Sequence, residues 1–213
     1  MGRYSPVPTL RRLALRRPQF ERCEFCDSAV CSEHRHLLEI ETRRIACVCD
    51  ACALRFENVV GRWKLIPRDA NLLLDFQMSD AEWESFALPI NLAFFLHSTR
   101  AGKTLAMYPS PAGATESLLT LGAWNSLKAA NPELNQLQSD VEALLVNRLG
   151  LSSEYYILPI DKCFELAGIV RTHWRGFSGG SKAWQEIEDF FTRLKSAMEI
   201  SNTPEKQQGV LHA

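Results

Sequence analysis

The chain has 213 residues, of which 46% are hydrophobic and 23% are charged, and its formal net charge is −1 at pH 7. A chain of this size can bury a core without disulfides, and its near-neutral charge gives no general attraction for nucleic acid or an anionic membrane. It contains no run of about 18 apolar residues, so we expect no membrane-spanning helix. We also find no apolar stretch of a secretory signal and expect a cytoplasmic protein.

Residues 1–22 form a basic segment that carries six arginines and a single acid, Glu21. This composition favours a solvated N-terminal arm without a core of its own. The alternative is a docking arm, because an excess of positive charge attracts an acidic partner surface.

Six of the seven cysteines lie within thirty residues, and four of them form two Cys-x-x-Cys pairs separated by 22 residues. Each Cys-x-x-Cys turn directs two thiolates at one ion, and two such turns complete a tetrahedron of sulfurs. The crowding of these thiols suits metal binding in a reducing compartment better than a disulfide framework. We therefore predict a site for one ion with the ligands Cys23, Cys26, Cys49 and Cys52.

The segment between the two pairs, HLLEIETRRIACV over 36–48, alternates and is rich in branched residues. This pattern predicts a β-hairpin that turns near residues 41–42 and carries the chain from one pair to the other. We accordingly predict a zinc-ribbon or rubredoxin-like module over residues 23–60.

Three further residues of this module could bind the ion or orient its ligands: Cys47, His34 and His36. Cys47 precedes Cys49 by two positions, so either of them can serve as the third ligand if the strand continues. A histidine before a strand more often supports a ligand than binds the metal itself. We predict no metal role for Cys31.

Four thiolates suit a zinc ion, a single rubredoxin-type iron or an iron–sulfur cluster. The hairpin spacing favours zinc, and a zinc ion with four sulfur ligands has no open position for a substrate. We predict one structural zinc ion, with one iron as the alternative.

The sequence pattern over residues 61–200 predicts a mixed domain of antiparallel sheet and helices, and we expect a flexible tail over 201–213. The fold class is therefore α+β, with the small cysteine module joined to the mixed domain. We predict strands at 62–67, 90–97, 104–108 and 155–160, a loop at 109–117, and helices at 80–86, 120–130, 134–148, 161–173 and 181–199.

The segment Gly176-Phe177-Ser178-Gly179-Gly180 resembles the nucleophile elbow of hydrolases. That elbow requires a preceding buried strand and a later acid and histidine, whereas a helix is predicted here and the tail alone supplies a histidine. We predict a turn that begins the last helix. Its free amides could also hold an anion or contact a partner, with the candidate residues Arg175, Ser178, Gly179 and Gly180.

Several stretches together resemble a bacterial family of unknown function that is encoded beside nickel–iron hydrogenase genes. They are CEFC (23–26), EHRHLLEIETRRIACVCDACALRF (33–56), LAFFLHS (92–98), YPSPAGATESLL (108–119), DVEALLVNR (140–148) and RTHWRGFSGG (171–180). The resemblance covers about residues 10–198. It implies a hydrogenase context without a reaction, and it carries the four paired cysteines over as metal ligands.

These observations predict a non-enzymatic accessory protein of a nickel–iron hydrogenase, which acts in maturation or assembly through contacts with a hydrogenase subunit or maturation factor. The first alternative is a rubredoxin-like iron protein that transfers electrons or protects the hydrogenase. The second is a zinc ribbon that binds nucleic acid, which the net charge and the lack of a basic aromatic face disfavour.

Overall fold

The computed structural model describes residues 21–57, 61–117 and 122–201. The chain divides into two compact units, Met1–Leu65 and Ile66–Ala213. Both contain antiparallel sheet and helix, which confirms the predicted α+β class. Residues 1–20 of the predicted arm and residues 202–213 of the predicted tail lie outside the described residues.

The described residues of the small unit form a three-stranded antiparallel sheet and a helix. Its elements are β1 (Arg35–Glu39), β2 (Ile45–Val48), α1 (Asp50–Phe56) and β3 (Trp63–Leu65), and the strand order is β2-β1-β3. The predicted hairpin is confirmed as β1 and β2, and the amide of Arg43 closes its turn on the carbonyl of Glu39 at 2.8 Å. The larger domain is predicted to start at residue 61, and the strand β3 that follows pairs with β1 within the unit Met1–Leu65.

A compact apolar core supports this small sheet. Leu37, Ala46 and Val48 are fully buried, and they pack with Trp63 and the helical Ala53. Burial of a leucine or valine side chain contributes about 1.5–3 kcal/mol to the stability of the fold. These core residues occupy one face of the β1–β2 hairpin, so the strand residues that alternate with them lie on the other face.

The large unit is built around a six-stranded antiparallel sheet with the order β4-β9-β8-β5-β6-β7. Its strands are β4 (Asn71–Leu72), β5 (Leu92–Ser98), β6 (Lys103–Ser110), β7 (Gly113–Glu116), β8 (Glu142–Asn147) and β9 (Glu154–Pro159). Its helices are α2 (Asp80–Ser85), α3 (Gly122–Ala130), α4 (Ile160–His173) and α5 (Gly180–Ser201), with a short 3₁₀ helix at Pro132–Gln136. No helix among the described residues is long and apolar enough to cross a membrane.

Most local predictions for the large unit are confirmed. Helix α2 begins with a capping box, in which the Ser79 side chain accepts from the Glu82 amide and Glu82 binds back to Ser79. The predicted strands at 90–97 and 104–108 are β5 and β6, the strand at 155–160 is β9, and the last two helices are α4 and α5.

The predicted helix over 134–148 is wrong. Residues 132–136 form a single 3₁₀ turn, and 142–147 form β8, which lies between β5 and β9 in the sheet. Four consecutive residues, 143–146, are completely buried. A continuous apolar run fits a strand covered on both faces as well as a helix, and its periodicity cannot separate them.

The predicted loop over 109–117 is also wrong. Strand β6 continues to Ser110, and after a two-residue turn β7 pairs back with it as the edge of the sheet. Pro109 is tolerated because β6 pairs with β5 only as far as Met107. Beyond that point the strand has a neighbour on one side only, where a missing amide donor costs little.

Candidate metal centre

The first Cys-x-x-Cys pair lies in a tight turn before β1. The amide of Cys23 donates to the carbonyl of Ser28 at 2.8 Å, and the amide of Asp27 donates to the carbonyl of Cys23 at 2.8 Å. Asp27 has a positive φ of 60°, a conformation that aspartate tolerates better than most residues. These bonds fold the turn so that its two thiols converge.

The second pair lies at the start of α1, a helix that the sequence analysis did not predict. Cys49 is the N-cap residue of α1, and its carbonyl accepts from the amide of Ala53 at 2.9 Å. Cys52 lies three positions further on, in the first turn of the helix. Residues three apart on a helix share a face, so both thiols point the same way.

The four thiol sulfurs of Cys23, Cys26, Cys49 and Cys52 lie within 4.8 Å of one another. The sulfurs of Cys26 and Cys49 are 3.7 Å apart. A regular tetrahedron with sulfurs about 2.3 Å from its centre has edges of about 3.8 Å. The arrangement therefore fits a single tetrahedrally coordinated ion, and zinc and iron both accept this donor set.

Hydrogen bonds favour the thiolate form at the first pair. The hydroxyl and amide of Ser28 lower the pKa of Cys26 to about 6, and the thiols of Cys23 and Cys49 add to the effect. Burial opposes ionisation of Cys23, but the backbone amides of Cys49, Phe25 and Cys26 outweigh it and lower the pKa of that thiol. Thiolate is the form that binds a metal ion.

Cys52 is the opposite case. Burial raises the pKa of its thiol to about 12, and the neighbouring thiols of Cys26, Cys49 and Cys23 act in the same direction. Without an ion, the buried Cys52 thiol therefore keeps its proton at neutral pH. Binding of a metal ion has to displace it, which couples metal affinity to pH.

A second group of ligating side chains lies on the hairpin. His36 on β1 is paired with Cys47 on β2, and His34 precedes His36 by two residues on the same face. One ring nitrogen of each histidine and the Cys47 sulfur lie within 4.8 Å of one another. Strand β2 ends at Val48, so Cys49 turns into the four-thiol group while Cys47 stays with the histidines.

Two supporting residues were missed by the sequence analysis. The hydroxyl of Ser28 lies 3.2 Å from the Cys26 sulfur, and Glu24 accepts the amide of Cys47 at 2.8 Å. The signal for Ser28 was its position two residues after the second cysteine of the pair. Cys31 lies in neither ligand group, and its exposed thiol donates to the carbonyl of Glu33 at 3.1 Å.

The glycine-rich segment before α5 has the contacts of a turn. The amide of Arg175 donates to the carbonyl of Gly179 at 3.1 Å, and the guanidinium of Arg175 binds the carbonyl of Trp174 at 2.8 Å. The indole of Trp184 donates to the carbonyl of Ser178 at 2.8 Å. Gly180 then begins α5. These bonds explain the turn without a bound anion.

The fold and the thiol group together define a two-unit α+β protein whose small unit carries a cysteine cluster able to bind a metal ion. The chain belongs to the Family of unknown function (DUF5947), whose model matches residues 22–198. The comparisons with curated proteins and with solved structures gave no match.

Proposed function

We propose that the protein is a non-enzymatic accessory factor of a nickel–iron hydrogenase, in which one structural zinc ion organises a surface for protein contacts. The observation that carries the structural role is the convergence of four thiol sulfurs within 4.8 Å of one another, with 3.7 Å between those of Cys26 and Cys49. Four protein ligands fill the coordination sphere of zinc and leave no position for a substrate. The ion therefore stabilises the fold and performs no chemical step.

The position of the four ligands in the chain supports this role. Cys23 and Cys26 come from the turn before β1, whereas Cys49 and Cys52 come from the start of α1. An ion held by all four joins two segments that are separated by the whole hairpin. Structural zinc of this kind contributes free energy directly to folding.

The hydrogenase assignment is supported by the family resemblance of the six sequence stretches given above. The proposed partner is a hydrogenase subunit or a maturation factor, and the proposed compartment is the cytoplasm, where such assembly takes place. The basic segment 1–22 would add long-range attraction to an acidic partner.

The test has two parts. A tagged full-length chain is purified from cells that produce the hydrogenase, its metal content is measured, and the co-purifying proteins are identified. Deletion of the gene is then compared with rescue by the wild-type chain or by Cys52→Ser, with Cys31→Ser as a thiol control. We expect one zinc per chain, an associated hydrogenase subunit or maturation factor, and hydrogenase activity restored by the wild type and Cys31→Ser alone.

The accessory role is contradicted if deletion leaves hydrogenase activity unchanged and no hydrogenase protein co-purifies. The structural zinc is contradicted separately if the four thiols hold stoichiometric iron. The metal assignment and the partner assignment can thus fail independently.

A rubredoxin-like iron protein is the second candidate, and the exposure of Cys26 favours it. An exposed ligand brings one edge of the metal site to solvent, where a redox partner can approach. This candidate predicts a coloured protein with thiolate-to-iron charge-transfer absorption and reversible reduction. A colourless protein with one zinc per chain contradicts it.

A further inference from the structure

We propose that His34, His36 and Cys47 form a second metal site, which binds a late first-row transition metal ion through three protein ligands. The fourth position of this site is taken by water or another exchangeable ligand. The inference does not depend on the hydrogenase role, because it uses only the geometry of the hairpin.

The hairpin itself builds the site. His36 is the second residue of β1, His34 lies immediately before the strand, and Cys47 lies directly opposite His36 on β2. Alternate residues share a face of a strand, and directly paired residues of an antiparallel hairpin have neighbouring side chains. Since Leu37, Ala46 and Val48 fill the core on the other face, the register of the hairpin fixes these three ligands together.

The separations suit coordination. The two Nε2 atoms of His34 and His36 are 3.1 Å apart. Two nitrogens bound to one tetrahedral zinc ion at about 2.05 Å would lie roughly 3.3 Å apart. The Cys47 sulfur lies within 4.8 Å of the ligating nitrogens. All three candidate ligand atoms therefore lie close enough together to be shared by one ion.

His34 is oriented as metal-binding histidines are. Its side chain is only 6% exposed, and its Nδ1 lies 3.3 Å from a carboxylate oxygen of Glu21. The same Nδ1 lies 2.9 Å from the carbonyl of Cys31, to which it donates its proton. A proton at Nδ1 leaves the lone pair on Nε2, the atom that faces His36. Carbonyl and carboxylate partners of this kind fix the tautomer and the ring position of histidine ligands.

The donor set indicates the class of ion and its behaviour. One thiolate and two imidazoles favour zinc, copper or nickel over magnesium or calcium, which prefer oxygen ligands. Three protein ligands leave one coordination position open, in contrast to the closed four-thiol group. An ion in the second site can therefore exchange its fourth ligand, and the two sites differ in what they can do.

A simple hydrogen bond between the two histidines is the competing explanation, and cobalt separates it from a metal site. Full-length protein with one zinc in the four-thiol group is titrated with Co²⁺. We expect one further cobalt per chain with the absorption of four-coordinate cobalt. Its charge-transfer intensity should correspond to one thiolate, and the zinc should stay bound.

Variants assign this cobalt to its ligands. Cys47→Ser should abolish the thiolate charge transfer, and His36→Gln should weaken cobalt binding by at least about 100-fold, since loss of an orienting partner alone costs 10–100-fold. Cys31→Ser is the matched control, because it removes an exposed thiol of the same unit and keeps the backbone carbonyl that orients His34. Zinc content and circular dichroism show whether each variant is folded.

The proposal is overturned if the zinc-loaded wild type takes up no further cobalt. It is equally overturned if Cys47→Ser and His36→Gln bind that cobalt like the wild type. Where a variant fails to fold, the stoichiometry and the one-thiolate intensity of the wild type decide. Four-thiolate intensity with released zinc would show exchange in the first site, and would count against a second one.

Discussion

Glu24 and Cys47 are joined by two hydrogen bonds across the small unit. The amide of Glu24 donates to the carbonyl of Cys47 at 2.9 Å, and the amide of Cys47 donates to the Glu24 carboxylate at 2.8 Å. These two bonds join the turn that contains the first cysteine pair to β2, the strand that precedes the second cysteine pair. The backbone of Cys47 thus supports the four-thiol group, while its thiol lies with His34 and His36.

We expect Glu24→Ala to destabilise the small unit by about 1–2 kcal/mol, because it removes the acceptor of the Cys47 amide. The carboxylate also binds Arg44 at 2.7 Å, but this exposed ion pair contributes little. Glu24→Gln keeps an acceptor for the amide and is the matched control, with a loss below about 1 kcal/mol. Urea unfolding of the metal-loaded proteins measures both, and an equal loss in the two variants would assign the effect to Arg44 instead.

We expect Cys52→Ser to abolish zinc binding by the four-thiol group. Structural zinc contributes on the order of 10 kcal/mol, which is comparable to the stability of a whole domain. Amide hydrogen exchange should therefore show β1 and β2 opening, both in this variant and in the wild type after strong chelation. The control Cys163→Ser changes a buried thiol of the large unit, and this variant should keep zinc in the four-thiol group. Retention of zinc by Cys52→Ser would refute the ligand assignment.

Glu154 gives the large unit a pH-dependent stability. Its carboxylate accepts from Tyr156 at 2.8 Å and from Asn147 at 3.1 Å, and it pairs with Lys195. Burial raises the pKa of Glu154, but the hydrogen bonds from Lys195 and Tyr156 outweigh it and hold the pKa below its ordinary value. A lowered carboxyl pKa stabilises the fold above the unfolded-state pKa of about 4.3, and this contribution is lost as pH falls through the folded-state value.

We therefore expect Glu154→Gln to cost about 1–2 kcal/mol of unfolding free energy at pH 7, since hydrogen bonds to a charged group are lost. The difference from the wild type should stay constant between about pH 6 and 8 and shrink below about pH 4. Denaturant unfolding at each pH measures it. The control is Glu188→Gln, which removes an exposed carboxylate of the same unit. A pH-independent difference at Glu154 would contradict the proposed role of its charge.

Two glycines in the turn before α5 separate backbone strain from steric overlap. Gly176 and Gly179 both have positive φ, 63° and 84°. A Cβ at Gly176 would meet open space, whereas at Gly179 it would lie 2.9 Å from the ring of Trp174. We expect Gly176→Ala to cost about 1 kcal/mol through backbone strain, and Gly179→Ala to cost at least about 1 kcal/mol more through the clash. Thermal unfolding compares them, and equal losses would show that the ring moves aside freely.

The cysteine pairs and the hairpin between them could be predicted because their signals are local. A Cys-x-x-Cys spacing and an alternating segment such as 36–48 depend on a few neighbouring residues, and the structure places both as expected. The capping box at Ser79 is another signal of this kind. In each case the residues that carry the pattern also make the contacts.

The failures have the opposite origin. The apolar residues between 137 and 149 fit the spacing of a helix, and only the pairing of 142–147 with β5 and β9 makes that segment a strand. Helix α1 was not predicted, because its seven residues also carry a cysteine pair, which was interpreted as a metal-binding turn. The strand at 142–147 depends on partners that lie far away in the sequence.

The sequence by itself determined which four cysteines can converge on one metal ion, because the spacing of two residues within each pair already directs two sulfurs at one point. The tertiary structure decided which of the remaining candidate ligands, Cys47, His34 and His36, lie together. Cys47 and Cys49 are two positions apart, yet β2 ends between them. Cys47 therefore lies with the two histidines, and Cys49 lies in the four-thiol group. The division follows from the positions at which β2 ends and α1 begins. Those positions are set by long-range packing and cannot be inferred from the spacing of the cysteines.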